Sequence, residues 1–386
     1  MAEHTRISVS DLTRHFEGLE DPRSEINQRH PLVSVVVVSL MAVLAGASGP
    51  TAIAAWANDK KDYMPNLLSL PNGIPQKDVY RRVLSALKPS AFQACFANWL
   101  QSLRARAEAD SGVEQPVFAV DGKTLRRSHN RSKGLGALHS VSIWATEYGL
   151  TLGQVATDDK SNEITAIPEL LRLVDIKGAI ITIDAMGTQK AIARQIVDAE
   201  ADYVLALKGN QDTIHKAVVS YIDEQRTNNF ADVAARQHTT TDTGHGRKET
   251  RTYVQMPAPK SLPGFELWKG LKTIGVVISL CLRGGKETIE SRYFLSSLPL
   301  GVKRFAGAVR GHWGIENTCH WSLDVTYRED QSRIRDINMR DNFAWLNRFT
   351  LSLLKQHSGN ESIAMKRNHC AWNDTFLTEV LTGEAI

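Results

Sequence analysis

Two short apolar runs in this chain each end on an aspartate. Val117-Phe118-Ala119-Val120 runs into Asp121, and Ile180-Ile181-Thr182-Ile183 runs into Asp184. Far downstream, His312-Trp313-Gly314-Ile315-Glu316-Asn317 sets a glutamate in a segment of helical character. Hard cations such as Mg²⁺ take carboxylate oxygens as ligands. Two strand-end aspartates and one helical glutamate therefore suit a cage for two divalent ions, the arrangement that performs phosphoryl transfer on nucleic acid.

A lone aspartate at a strand end is more often a turn former or a helix cap. Two in one sheet shift the balance, and so does the run that follows the first. Lys123, Arg126, Arg127, Arg131 and Lys133 come with no acid among them, placed to draw phosphates toward Asp121. His312, Glu316 and His320 are spaced by four, so one helix stripe carries all three. Asp324, Glu329 and Asp330 compete with Glu316 as the third ligand. The stripe is not H-E-x-x-H, which leaves a zinc protease unsupported. Lys208, after an apolar strand, reads equally as a phosphate contact and as part of an ordinary turn. Gly244-His245-Gly246-Arg247 reads as a DNA-contacting loop, with a flexible turn as the plain alternative. Lys77, Arg81 and Arg82 are as a set better read as a solvated helix face than as a groove-reading one.

The elements that must position these residues fall into two regimes. Residues 1 to about 110 read as all-helical. Ser10 and Asp11 are placed to cap a helix holding Leu12 and Phe16. A buried helix follows from Pro31 to Gly49. A third begins after Pro75 with Val79, Val83, Leu84 and Leu87 on one face. A fourth carries Phe92, Cys95, Phe96, Trp99 and Leu103 at helical spacing. Arg104 to Gln115 is charged and reads as a linker. From Val117 the period changes to that of strands. Strands ending at Asp121, over 141–146 and over 150–156 precede a helix with Ile164, Ile167, Leu170, Leu171 and Val174 inward and Pro168 in its first turns. The strand 179–183, a helix 189–198, a strand 203–207 and a further helix follow. Helical crossovers make such strands parallel neighbours, and ligands bind at their carboxyl ends. That order is the layout of a ribonuclease-H-like core. The long stretch between Asp184 and Glu316 holds strands over 251–256, 273–282 and 288–296, with Gly284-Gly285 as a turn, and reads as a β-rich insertion. The expected fold class is thus α/β, a ribonuclease-H-like mixed sheet with a β-rich insertion, preceded by an all-helical N-terminal domain. The expected divisions are 1–110, 115–235, 236–300, 301–360 and a polar, peripheral tail at 361–386.

The bulk properties agree with this reading without requiring it. The 386 residues are 42% hydrophobic and 23% charged, enough to bury a large core. A net charge of +4 permits a polyanionic partner. Four scattered cysteines, Cys95, Cys281, Cys319 and Cys370, show no disulfide framework and point to a reducing compartment. Cys319-His320 and His369-Cys370 lack zinc-finger spacing. The N-terminus carries Glu3 and Asp11 in place of a leader, and the apolar stretch 31–49 is broken by serines and glycines. Both features lead to the expectation of a cytoplasmic protein with no membrane partner.

Four motifs in order, V-D-G-K, T-I-D-A-M, Y-V-L-A-L-K-G-N-Q and R-G-H-W-G-I-E-N, together resemble the insertion-sequence DDE transposases. The resemblance is greatest to the H-repeat-associated, RHS-linked group. It spans nearly the whole chain, including the segment around Asp21-Pro22-Arg23. It implies Asp121, Asp184 and Glu316 as the metal-binding triad for two Mg²⁺ ions, with Mn²⁺ able to substitute. It implies double-stranded DNA, both element ends and target, as the partner, with a homodimer or larger assembly on DNA. Lys123, Arg126, Arg127, Lys208, Arg247, Arg310 and His312 are the candidate DNA contacts. Broader relatives carry Tyr, Arg and Lys at fixed offsets from the glutamate; here those positions hold Val309, His312 and Leu323. The expected activity is cutting of element ends and joining of 3′-hydroxyls to target DNA. A metal-dependent nuclease without strand transfer, or an inactive DNA-binding descendant, remains the alternative.

Overall fold

The computed structural model describes residues 13–130, 132, 134–157, 163–244 and 246–383. The cap at Ser10 and Asp11, Leu12, Arg131, Lys133 and His245 lie outside them. The regular elements before the first strand are helical: α1 (Leu32–Leu44), α2 (Pro50–Asp59), α3 (Lys77–Ala86), α4 (Pro89–Cys95) and α5 (Ala97–Ser111). Helix α1 is apolar almost all round and lies buried, as such a helix must. On α3, Tyr80, Val83 and Leu84 face inward while Lys77, Arg81 and Arg82 are exposed. The expected linker is instead the end of α5, which stops at Gly112 in the left-handed conformation. Its charges lie on the solvent side of a helix that buries Trp99, Leu100 and Leu103.

One mixed sheet of nine strands follows, in the order β3-β2-β1-β4-β5-β9-β8-β7-β6. Strands β1 (Val117–Leu125), β4 (Ile180–Ile183) and β5 (Asp202–Leu207) are parallel. Strands β2 (Leu138–Ala145) and β3 (Leu150–Thr157) complete an antiparallel meander with β1. The helices α6 (Glu163–Leu173) and α7 (Lys190–Asp198) supply the connections, and α8 (Asp212–Thr227) leaves β5. Pro168 sits inside α6, in its second turn. The expected insertion is continuous with the sheet, because β9 (Lys286–Ser296) pairs antiparallel with β5 and removes its open edge. Strands β8 (Thr273–Arg283), β7 (Arg247–Pro257) and β6 (Arg236–Gly244) extend it further. Gly284 and Gly285 both adopt positive φ in the two-residue turn between β8 and β9, as a primed hairpin turn requires.

After the sheet come α9 (Val302–Gly314), a π-helical turn at Ile315–His320, and α10 (Trp321–Val325). The long α11 (Ile337–Gln356) lies against β3 and against α1, α3 and α4. Phe96 and Trp99 meet Phe349 at ring-centroid distances of 4.3 and 4.7 Å. The N-terminal helices therefore share one core with the sheet layer. The tail is not peripheral: α12 (Ile363–Trp372) and α13 (Asp374–Thr382) bury Cys370, Leu377, Val380 and Leu381. Arg367 donates to the Val43 carbonyl and lies over the Tyr327 ring. Among the described residues, no helix is long and apolar enough to cross a membrane.

Candidate active site

Successive side chains of a strand point to opposite faces of its sheet. On β1, Val117 joins a cluster with Phe305, Ala308 and Val309 of α9, while Phe118 enters the core of the other face. Asp121 therefore lies on the α9 face. On β4, Ile180 belongs to the same cluster, and Thr182 on that face meets His312 of α9. The pairing of β1 with β4 ends at Val120 opposite Ile183. Asp121 and Asp184 are the next residues on two neighbouring parallel strands. Asp121 is not a strand end, however, since β1 continues beside β2 to Leu125.

That continuation decides the fate of the basic run. Lys123 shares the face of Asp121 and is buried, its ammonium against Asp324 and 3.6 Å from Asp330. It is committed to these acids rather than presented to a phosphate. Arg126 is exposed and lies 3.2 Å from Asp330, and Arg127 is exposed. Asp324 and Asp330 thus serve Lys123, which answers their candidacy as ligands.

Glu316 is brought over by α9. A Cβ on Gly314 would stand 2.7 Å from the Thr146 methyl group, so the helix crosses the β2–β3 turn where only glycine fits. Glu316 follows in the π turn, a form of helix found mostly as single turns at functional sites. Asp184, His312, Trp313 and Glu316 line one cavity of about 520 Å³ together with Lys208, His215, Glu290 and Arg292. The negative charges of Asp184 and Glu316 both act on Asp121. Burial first, then those charges, push its carboxyl up to about 7.

The two aspartates each use one oxygen locally. Asp121 Oδ1 accepts from the Gly122 amide at 2.8 Å, and Asp184 Oδ1 from the Met186 and Gly187 amides at 3.0 and 3.2 Å. The turn-forming role expected of a plain aspartate is thus filled by Asp184. His320 Nδ1 lies 3.5 Å from Asp121 Oδ2. Burial lowers His320 to about 3 and His312 to about 4, so both imidazoles are neutral at pH 7. Among the described residues, no three acidic, histidine or cysteine side chains are gathered tightly enough to ligate an ion as they stand. Behind β1, a buried pair escaped the sequence reading: His139 Nε2 and Glu163 Oε1 are 2.7 Å apart. A Cβ on Gly122 would fall 2.3 Å from Glu163 Oε1, so the glycine after Asp121 is needed for that contact.

The other candidate DNA contacts separate into two places. Lys208 and His312 line the cavity. Arg247 and Arg310 lie at the β6–β7 hairpin, Arg247 3.5 Å from Glu249 and Arg310 3.9 Å from Asp242.

Residues 113–354 match the transposase DDE domain, and residues 13–100 match the DDE_Tnp_1-associated region. The chain belongs to the DDE transposase family. It is 37% identical over 382 residues to the Escherichia coli O157:H7 protein named "Putative transposase YncI", covering 98% of this chain and 96% of that one. It is 34% identical over 386 residues to "H repeat-associated putative transposase YhhI" of Escherichia coli K12, covering 98% of this chain and all of the relative.

Proposed function

We propose that this chain cuts the ends of an insertion sequence and joins the resulting 3′-hydroxyls to target DNA. The observation that carries the proposal is the juxtaposition of Asp121, Asp184 and Glu316 on one side of the sheet, in a chain of the DDE transposase family. The order β3-β2-β1-β4-β5, parallel at β1, β4 and β5, supports a ribonuclease-H-like core. In this reading 1–110 is the associated helical part, and 115–235 with 301–360 forms the catalytic core. Residues 236–300 are its insertion, and the described part of 361–386 adds to the helical layer.

The donor set suits Mg²⁺ or Mn²⁺. It is all carboxylate, and burial, with the charges of Asp184 and Glu316 added to it, holds the proton on Asp121 up to about 7, a charge burden that divalent cations would balance. Asp121, Asp184 and Glu316 would hold two ions, drawing inward from their present spacing. Bound there, the ions supply Lewis acidity to the attacking and leaving oxygens. The chain's own residues orient the reaction. The backbone amides after Asp121 and Asp184 fix each carboxylate, and neutral His320 packs beside Asp121. Lys208, Arg126 and Arg127 meet phosphates near the acids, while Arg247 and Arg310 meet DNA further out. Their contacts make affinity fall with salt. Joining two ends to one target requires at least a dimer on DNA.

The test is strand transfer. Precut duplex ends with free 3′-hydroxyls, drawn from the gene's own flanks, are incubated with supercoiled target and Mg²⁺. Covalent joining that EDTA abolishes supports the proposal. Hydrolysis without joining replaces it with a nuclease, and binding without either reaction replaces it with a DNA-binding protein.

A further inference from the structure

We propose that Arg292, on β9, is a phosphate-binding residue of the active-site cavity, gripping the DNA backbone beside Asp184 and Glu316. The inference rests on the proposed DNA chemistry of that site. The cavity's acids would repel a phosphodiester, so the strand must meet fixed cations within the same cavity. Its lining from β5 and β9 offers Lys208 and Arg292. The Arg292 guanidinium lies 4.4 Å from the Trp313 ring centroid, three residues before Glu316. The indole face thus holds the cation beside the helix that carries the glutamate, a geometry in which arginine and lysine are not interchangeable.

The remaining contacts show how the grip is held ready. Arg292 Nε and one terminal nitrogen reach the Glu290 carboxylate at 2.9 and 3.2 Å. Among the described residues, nothing hydrogen-bonds its other terminal nitrogen. Glu290 is the more exposed partner, at 60% against 35% for Arg292. An exposed ion pair is weakly held, so a phosphate with its own bidentate oxygens can displace the carboxylate. Glu290 then acts as a placeholder that competes with DNA. Arg292 and Lys208 are the arginine and the lysine among the residues that line the cavity.

The experiment compares the parent with Arg292→Ala, Arg292→Lys and Glu290→Gln in Mg²⁺-dependent cutting of flank-derived duplex. Neutral methylphosphonates are placed one at a time around the cut site. Arg292→Ala should lower kcat/KM about 10- to 100-fold, the loss of one charge-assisted phosphate contact. Arg292→Lys should recover little, and Glu290→Gln should tighten binding. One or two methylphosphonates should impair the parent yet make no further difference in Arg292→Ala. The slope of binding against salt should fall by about one phosphate's share. A parent that cuts, with Arg292→Ala equal to it or with every methylphosphonate additive to the variant, overturns the inference. A parent that neither cuts nor binds the flanks overturns the underlying function as well.

Discussion

Asp121 shows how a sheet end stores charge. Free aspartate titrates near 3.8, whereas folded Asp121 titrates near 7, raised by burial and then by Asp184 and Glu316. Between those values the folded chain holds a proton that the unfolded chain has lost, so protonation favours folding. That stabilisation is complete below about 3.8 and is lost as pH rises through about 7. In EDTA, the urea midpoint of the parent minus that of Asp121→Asn should fall across this window. Mg²⁺ at pH 8 should raise the parent's midpoint and not the variant's, because ionised carboxylates bind the ion. No change in the difference with pH would refute the assignment. The two aspartates were legible because each ends an apolar run. Lys123 was misread because its strand runs on past the acid, and nothing in the spacing marks which face a basic residue takes. The contact of Arg292 with Trp313 was missed because the two residues come from distant elements, β9 and α9, that only the fold brings together.

The elements are locked by buried charge as well as by apolar packing. Arg348 of α11 is fully buried and binds Glu329 at 3.2 Å, Ser140 of β2 at 3.1 Å and the Ala344 carbonyl at 3.1 Å. One side chain thus ties α11 to the sheet and to the loop after α10. Arg348→Met leaves the buried Glu329 with no cation and with the Asn347 amide at 3.3 Å as its remaining donor, which should cost about 3–5 kcal/mol. Urea unfolding should show that loss, and adding Glu329→Gln should return part of it. A double variant no more stable than Arg348→Met would show that the charge of Glu329 is not the cause. Such a residue is hard to read from sequence, since an arginine in a helix first suggests solvent. The same blindness hid α12, whose Lys366 and Arg367 are buried. It also hid β6, whose Thr, Gln and His residues are mostly exposed and show no apolar alternation. The π turn at Glu316 leaves no pattern at all, since it inserts into an otherwise helical period.

At the scale of the molecule, α11 joins two parts that the sequence suggested were separate. Its aromatic side packs on Phe96 and Trp99, and its other contacts reach β3. Removing residues 1–110 would bare Trp345 and Phe349. The remaining fragment should aggregate or bind a hydrophobic dye, while the whole chain unfolds with its tryptophan fluorescence and far-ultraviolet dichroism in step. A monomeric, cooperatively folded fragment would contradict this shared core. The sheet half of the fold was legible because buried parallel strands are runs of Val, Ile and Leu. The joining of the insertion to β5 was not, because an edge pairing between distant strands has no local signature. The central claim is that Asp121, Asp184 and Glu316 work as one site. The most direct measurement is Mg²⁺-dependent cutting of supercoiled plasmid bearing the gene's own flanks, by the parent beside Asp121→Asn, Asp184→Asn and Glu316→Gln, each shown to be folded. The account predicts cutting at the flanks by the parent and a loss of about a hundredfold or more in every variant, about 2.7 kcal/mol in the barrier. A parent that cuts at the flanks while any one of the three variants matches it would contradict it.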